Sequence, residues 1–410
     1  MNDIFIQIAS YRDPELKPTI KDLLSNAENP QNLKICIAHQ HSKDDQWDNL
    51  DEYKDDERFL ILDIDYKDSK GACWARNLIQ QEYNDEKYTL QLDSHHRFVK
   101  GWDTKCIDML EGLREKGHKK PLLTSYIPSY NPENDPEERV DNAWAMKFDR
   151  FTPEGIIFFL PYYVEKDITE PIPARFYSAH FCFTDGIFCK EVQHDPEMYF
   201  HGEEISIAVR AWTWGYDLFH PNEVIAWHEY TRKDRTKHWD DDKDWVNKNT
   251  KTHSRVRTLL GVDGEVCTPC NRNSFGRYFF GEERTLEDWQ RVMGIRFKDR
   301  SIQEAVLNNL IPQERDEPYN PKFRHPLEFN RSRLTCDDYT FAAAIFEDEK
   351  GNQLWREDVQ ADTVNGWLNQ EHIILWKEYN GPKPYKWIVW PHSKSKGWVD
   401  RIEVSLVTKN

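Results

Sequence analysis

The chain has 410 residues, of which 38% are hydrophobic and 31% charged, with a formal net charge of −17. At about 150 residues per domain this gives two or three domains. The balance excludes a membrane bundle, a collagen-like repeat and an extensively disordered chain. The acidic excess makes nucleic acid and anionic membranes poor partners.

No apolar run reaches the ~20 residues of a membrane span. The opening Ile4-Phe5-Ile6-Gln7-Ile8 reads as a strand and lacks the basic leader and cleavage site of a signal peptide. Of the eight Cys, only Cys267 and Cys270 form a CxxC, with no second pair to complete a zinc ribbon. Reduced thiols and a cytoplasmic location are the expectation.

In chain order, residues 4–9 predict a buried strand. Residues 13–27 predict a helix with Pro14 in its first turn and Leu16, Ile20, Leu23 and Leu24 at helical spacing. Strands follow over 33–38 and 59–64, then a helix over 72–83 entered through Gly71. A fourth strand over 88–92 ends at Asp93. This alternation predicts a parallel, helix-covered sheet with its ligand at the carboxyl ends of the strands. Residues 130–175, rich in proline and acid, read as a long irregular segment across that edge, either part of an acceptor groove or a plain surface excursion.

The core resumes with a strand over 176–183, a helix over 202–214, and loop and strand over 217–228. Residues 229–260 read as charged and helical or mobile, and 286–292 as a short helix. The prolines of 312–326 mark a linker, giving a catalytic domain over 1–311, a linker over 312–329 and an accessory domain over 330–410. The last contains strands only, with a hairpin turn at Lys350-Gly351-Asn352, and predicts a small antiparallel β-sandwich. Its Trp355, Trp367, Trp376, Trp387, Trp390 and Trp398 are expected mainly in the core, with sugar stacking as the alternative.

The strongest chemical signal is Asp93-Ser94-His95, where an apolar strand runs into a DxH. Residues i and i+2 of an extended segment point the same way, so one carboxylate and one imidazole can reach a single cation. That mixed set suits Mn²⁺. A second cluster is Gly202-Glu203-Glu204, a glycine turn placing two carboxylates at a helix start, where capping alone would also explain them. His228 ends the apolar run Val224-Ile225-Ala226-Trp227, where a lone His is more often a packed or capped residue than a ligand, but a third ligand is what the DxH lacks.

A DxH, a Gly-Glu pair opening a helix and a His some 25 residues later resemble the metal-dependent GT-A glycosyltransferases, including the polypeptide N-acetylgalactosaminyltransferases. The closer resemblance is to the cytoplasmic N-acetylglucosaminyltransferases that modify hydroxyproline. Their landmarks recur in order as Ile8-Ala9-Ser10-Tyr11-Arg12-Asp13-Pro14, Gly71-Ala72-Cys73-Trp74-Ala75-Arg76, Asp93-Ser94-His95, Gly101-Trp102-Asp103, Asp195-Pro196, Gly202-Glu203-Glu204 and His228-Glu229-Tyr230. The resemblance covers roughly 1–295. It departs from the family pattern at Ala72-Cys73 and His201.

The resemblance implies an α/β GT-A domain, a UDP-sugar donor (UDP-GlcNAc first) and a protein or glycan acceptor. It implies an α-linked product formed with retention, and Mn²⁺ or Mg²⁺ on Asp93, His95 and His228. Glu203 and Glu204 would act at the sugar. Ala9, Ser10, Tyr11, Arg12, Asp65, Arg76, Asp93, Ser94 and Gly202 would bind the nucleotide sugar. Another sugar or small acceptor on the same fold, or a non-catalytic carbohydrate-binding protein, are the competing expectations.

Overall fold

The computed structural model describes residues 3–231 and 235–406, without the side chains of residues 269–271. Cys270, half of the CxxC, therefore lies outside the described side chains. The other cysteines are free, and five of them are buried.

The first half of the chain forms an eight-stranded sheet. Strand β1 (Ile4–Tyr11) is flanked by β2 (Leu33–His41), with β3 (Phe59–Asp65) outside it, and on its other side by β4 (Tyr88–Leu92). All four are parallel. Helices α1 (Leu16–Asn26) and α2 (Ala72–Gln81) make the crossovers. Helix α1 buries Leu16, Thr19, Ile20 and Leu23, the apolar face read from the sequence. Beyond β4, the short β5 (His96–Phe98) leads to α3 (Trp102–Glu115), whose fully buried Trp102 donates its indole N–H to the Leu23 carbonyl at 2.9 Å.

The sheet is not wholly parallel as expected. After β6 (Pro121–Thr124) the chain makes a long excursion containing the hairpin β7 (Trp144–Phe151) and β8 (Ile157–Tyr163), then the two-residue β9 (Ile172–Pro173). It returns at the edge where it left, so β10 (Phe181–Asp185) must run backwards, antiparallel to both β4 and β6. The sequence reading of 130–175 as wholly irregular is corrected by that hairpin.

Helix α4 (Phe188–Glu191) is a single turn, α5 (Glu203–Thr213) is the helix expected over 202–214, and β11 (Asp217–His220) completes the run beside β6. Strand β12 (Ala226–His228) leaves the large sheet and pairs with β5. Helices α6 (His238–Asp241) and α7 (Trp245–Leu260) occupy the segment read as charged and helical or mobile. No described helix is long and apolar enough to cross a membrane.

The C-terminal part is mainly antiparallel β and begins earlier than expected, but the expectation of strands only is corrected by a short helix over Ala361–Gly366. Strands β13 (Ile295–Arg296), β14 (Ser301–Ile302), β15 (Asn320–Asn330) and β18 (His372–Asn380) form one sheet. Strands β16 (Tyr339–Glu347), β17 (Gln353–Gln360), β19 (Lys386–Ser393), β20 (Gly397–Trp398) and β21 (Ile402–Ser405) form the other. Strand β15 lies in the segment read as a linker. Its Pro321 and Pro326 disguised it; Pro326 lies beyond the β14 pairing, where β15 pairs with β18 alone and proline is tolerated, and Phe323, Leu327 and Phe329 supply the buried face. Trp367 and Trp387 are core residues, whereas Trp376 is 43% exposed and carries the guanidinium groups of Arg150 and Arg324 on its ring at 4.8 and 5.1 Å.

Candidate active site at the carboxyl edge of the sheet

Asp93 follows β4 and His95 precedes β5, so the DxH sits where the main sheet gives way to the β5–β12 ribbon. That ribbon brings in the third residue. His228 is in register with His96, its N–H donates to the Pro128 carbonyl at 2.9 Å, and the next N–H, from Glu229, donates to the His95 carbonyl at 3.1 Å. Backbone pairing thus joins residues 135 positions apart. One ligand atom each from Asp93, His95 and His228 lies within 4.8 Å of the others. Among the described residues this is the single cluster with metal-ligand geometry.

The donor set fits a borderline divalent cation. Asp13 Oδ2 accepts from Ser94 Oγ at 2.7 Å and from His95 Nδ1 at 2.8 Å. An imidazole held this way presents Nε2 to a metal in a fixed orientation. Burial would raise the Asp13 carboxyl, but His95 and Arg235 outweigh it and hold it at about 2. Burial, reinforced by the neighbouring His95, pushes His228 well below the usual histidine range. It is therefore neutral, the form that ligates metals. Burial would also raise Asp93, but His228, Arg76 and His95 keep it ionised. The Arg235 guanidinium lies against the His95 ring, nearer Nδ1 than Nε2, and donates to Asp13 Oδ2 at 3.1 Å, so it brings positive charge beside the cluster.

Behind the cluster, Arg76 is buried on α2, donating to Asp93 Oδ1 at 2.9 Å and reaching Glu203 Oε1 at 3.4 Å. Gly71 precedes that helix with φ +109, and a Cβ there would meet the Tyr199 carbonyl oxygen at 2.6 Å, so only glycine fits. Gly202 has φ +114 and opens α5, placing Glu203 and Glu204 in its first turn. Desolvation raises Glu203 to about 7. Desolvation together with the Glu203 charge raises Glu204 to about 8. The Ala179 N–H donates to Glu204 Oε1 at 2.9 Å.

Ala9, Tyr11, Arg76, Asp93, Ser94 and His95 line one cavity with Gly71 and Phe200. Its volume of about 120 Å³ is below the ~300–1,000 Å³ usual for ligand pockets, and residues 235–239 form part of its lining. Another cavity, of about 450 Å³, contains none of the metal-ligand candidates, and its His39 and His41 are already paired with Asp48 and Asp63.

Four expected nucleotide contacts lie outside the cavity lining. The Arg12 guanidinium is held by Asp45 at 2.8 Å and Asp241 at 3.0 Å. Asp65 is exposed and accepts the Lys67 N–H at 3.0 Å, capping a turn. Gly202 backs onto Val256 and Ile156 and shapes the turn instead of lining the cavity. Ser10 is buried behind the lining, its hydroxyl without a protein partner. Residues missed by sequence reasoning are His180, whose ring stacks on His228 at 4.4 Å, and the cavity-lining residues Arg235, His238 and Trp239. Only the charge of the 229–260 segment hinted at the latter.

The family model for glycosyltransferase (GlcNAc) matches residues 3–59 and 52–299. The chain belongs to this family. The GlcNAc-family glycosyltransferase has no match among curated proteins. Among solved structures it is similar to GalNAc-T7 with UDP, GalNAc and Mn²⁺, at 14% identity over 70% of this chain and 54% of that one, with a TM-score of 0.46. It is also similar to S. aureus TarS, at 10% identity over 99% and 86% of the two chains, with a TM-score of 0.37. A third is the mannosyltransferase PcManGT of Pyrobaculum calidifontis with GDP-Man and Mn²⁺, at 8% identity over 57% and 58%, with a TM-score of 0.37. The transferase thus spans about half the length of the GalNAc-T7 chain.

Proposed function

We propose that this glycosyltransferase moves N-acetylglucosamine from UDP-GlcNAc to a hydroxyl of a protein or glycan, with retention and an α-linked product, in the cytoplasm. The observation that carries the reading is the Asp93, His95 and His228 cluster beside a cavity at the carboxyl edge of the sheet. These three residues would hold Mn²⁺ or Mg²⁺, which supplies positive charge to a diphosphate leaving group.

The chain's own residues do the rest. Arg76 is fixed between Asp93 and Glu203, so its charge is oriented before the donor arrives. Asp13 fixes His95. Glu203 and Glu204 border this charge network at the α5 turn, where sugar hydroxyls would be held. Tyr11, Ala9 and Ser94 line the nucleotide side. The test is UDP release from a panel of UDP-sugars with Mn²⁺ and no acceptor. Slow hydrolysis selective for UDP-GlcNAc supports the reading, and hydrolysis of none of the sugars favours a non-catalytic carbohydrate-binding protein.

A further inference from the structure

The two imidazoles of the candidate metal cluster are held in different ways. His95 is fixed through its second nitrogen by Asp13, the usual arrangement for a ligating histidine. His228 turns Nε2 toward Asp93 Oδ2 at 3.5 Å, and its buried Nδ1 has no hydrogen-bond partner among the described residues. Backbone pairing alone does not set its ring plane, because χ2 of histidine is a broad, roughly two-fold torsion. Packed rings do so here. His180 stacks on His228 at 4.4 Å between centroids and 26° between planes, and Tyr230 meets it at 4.3 Å and 61°.

Both rings hang from one residue. The Ile127 N–H donates to His180 Nε2 at 3.2 Å, which leaves the imidazole proton on Nδ1, 3.1 Å from Ser178 Oγ. The Ile127 carbonyl accepts from the Tyr230 hydroxyl at 2.8 Å. The next carbonyl, of Pro128, accepts the His228 N–H at 2.9 Å. Two consecutive residues thus hold the backbone of His228 and the two rings packed on its imidazole. Building on the divalent-cation reading of Asp93, His95 and His228 above, we propose that His180 and Tyr230 are positioning residues that fix the plane of the His228 imidazole by ring packing, the role that Asp13 plays for His95 by a hydrogen bond. A ring held in its ligating orientation before the cation arrives loses little rotational freedom on binding it, so removing either packed ring weakens the site.

The test uses chelator-stripped, full-length protein. Mn²⁺ affinity is measured by calorimetry, and the ligand set is read from the visible d–d bands of the Co²⁺-loaded protein. Tyr230→Ala and His180→Ala are each expected to weaken Mn²⁺ binding roughly tenfold, the lower end for a residue that orients a metal ligand, and to move the Co²⁺ bands toward those of His228→Ala. Tyr230→Phe keeps the ring and is expected to keep both the affinity and the bands. Circular dichroism checks folding, and if His180→Ala does not fold, the Tyr230 variants decide, since that side chain is 36% exposed. Wild-type affinity or wild-type bands in Tyr230→Ala, or a Tyr230→Phe variant as impaired as Tyr230→Ala, overturns the proposal while leaving the cation site standing. A wild-type protein that binds no Mn²⁺ refutes the cation site and the positioning role together.

Discussion

Asp13 and His95 meet through one hydrogen bond of 2.8 Å, from the imidazole Nδ1 to the carboxylate. The bond fixes both the tautomer and the ring plane of His95, and so decides which nitrogen faces Asp93 and His228. Asp13 lies on the turn after β1, so the first strand of the sheet sets the geometry of a cluster built by β4, β5 and β12.

Asp13→Asn keeps the shape but loses the charge that holds the Nδ1 proton. Orienting partners of this kind are worth 10–100-fold in metal affinity. Titration of the variant with Mn²⁺ by calorimetry is expected to show a loss in that range, with a folded circular dichroism spectrum. An unchanged affinity would make Asp13 a purely structural residue.

Arg235 places a positive charge against the His95 ring and within 4.0 Å of Glu229. A divalent cation bound at His95 is repelled by that guanidinium. Arg235→Ala is expected to tighten Mn²⁺ binding roughly tenfold in the absence of nucleotide, an effect small beside the ~4 kcal/mol of two unit charges 4 Å apart at an intermediate dielectric. Weaker binding in the same titration would mean that Arg235 supports the site.

Glu204 is raised from 4.5 to about 8 by desolvation and the charge of Glu203. An acid whose folded value lies above its unfolded one contributes stability that is complete below the unfolded value and lost as pH rises toward the folded one. Gln mimics the neutral acid at every pH. In metal-free protein, the melting temperature of Glu204→Gln should pull ahead of wild type progressively between pH 4.5 and 8, then keep a constant lead. A gap that closes over this range would contradict the assignment.

The DxH and the turn that opens α5 were legible because they are local. A strand running into Asp93-Ser94-His95 and a glycine opening α5 are visible in short windows. The fate of a strand-end side chain is not. Arg12 stands where a phosphate contact was expected, but Asp45 and Asp241 hold it, and neither is near it in sequence. Asp65 caps its own turn through the Lys67 N–H. His180 reaches His228 only because β10 runs backwards, a direction set by where the chain re-enters the sheet. Prolines in β15 hid a strand whose Phe323, Leu327 and Phe329 carry a readable apolar face.

That strand changes the expected behaviour of a truncated protein. Residues 320 and 321 pair with β14, and Arg324 pairs with Asp149 on β7, so the C-terminal sandwich is tied to the core by backbone and charge. All cavity residues precede Asp241. A chain ending at residue 318 is expected to retain UDP-GlcNAc hydrolysis while melting several degrees lower, since each kcal/mol is worth about 2–4 °C in domains of 150–250 residues. A folded fragment without hydrolysis would place part of the site in the sandwich.

Under the proposed function, Asp93, His95 and His228 act together as the divalent-cation site of a UDP-GlcNAc transferase. UDP release from UDP-GlcNAc by chelator-stripped protein titrated with Mn²⁺, for wild type and His228→Ala, tests this at the metal itself. No release is expected without metal, with saturable recovery in the wild type and a loss of at least ~100-fold in His228→Ala at the same Mn²⁺ concentration, in line with the weight of a single electrostatic contact to a developing charge. Full release in excess chelator, or a His228→Ala variant as active and as metal-responsive as wild type, would contradict it.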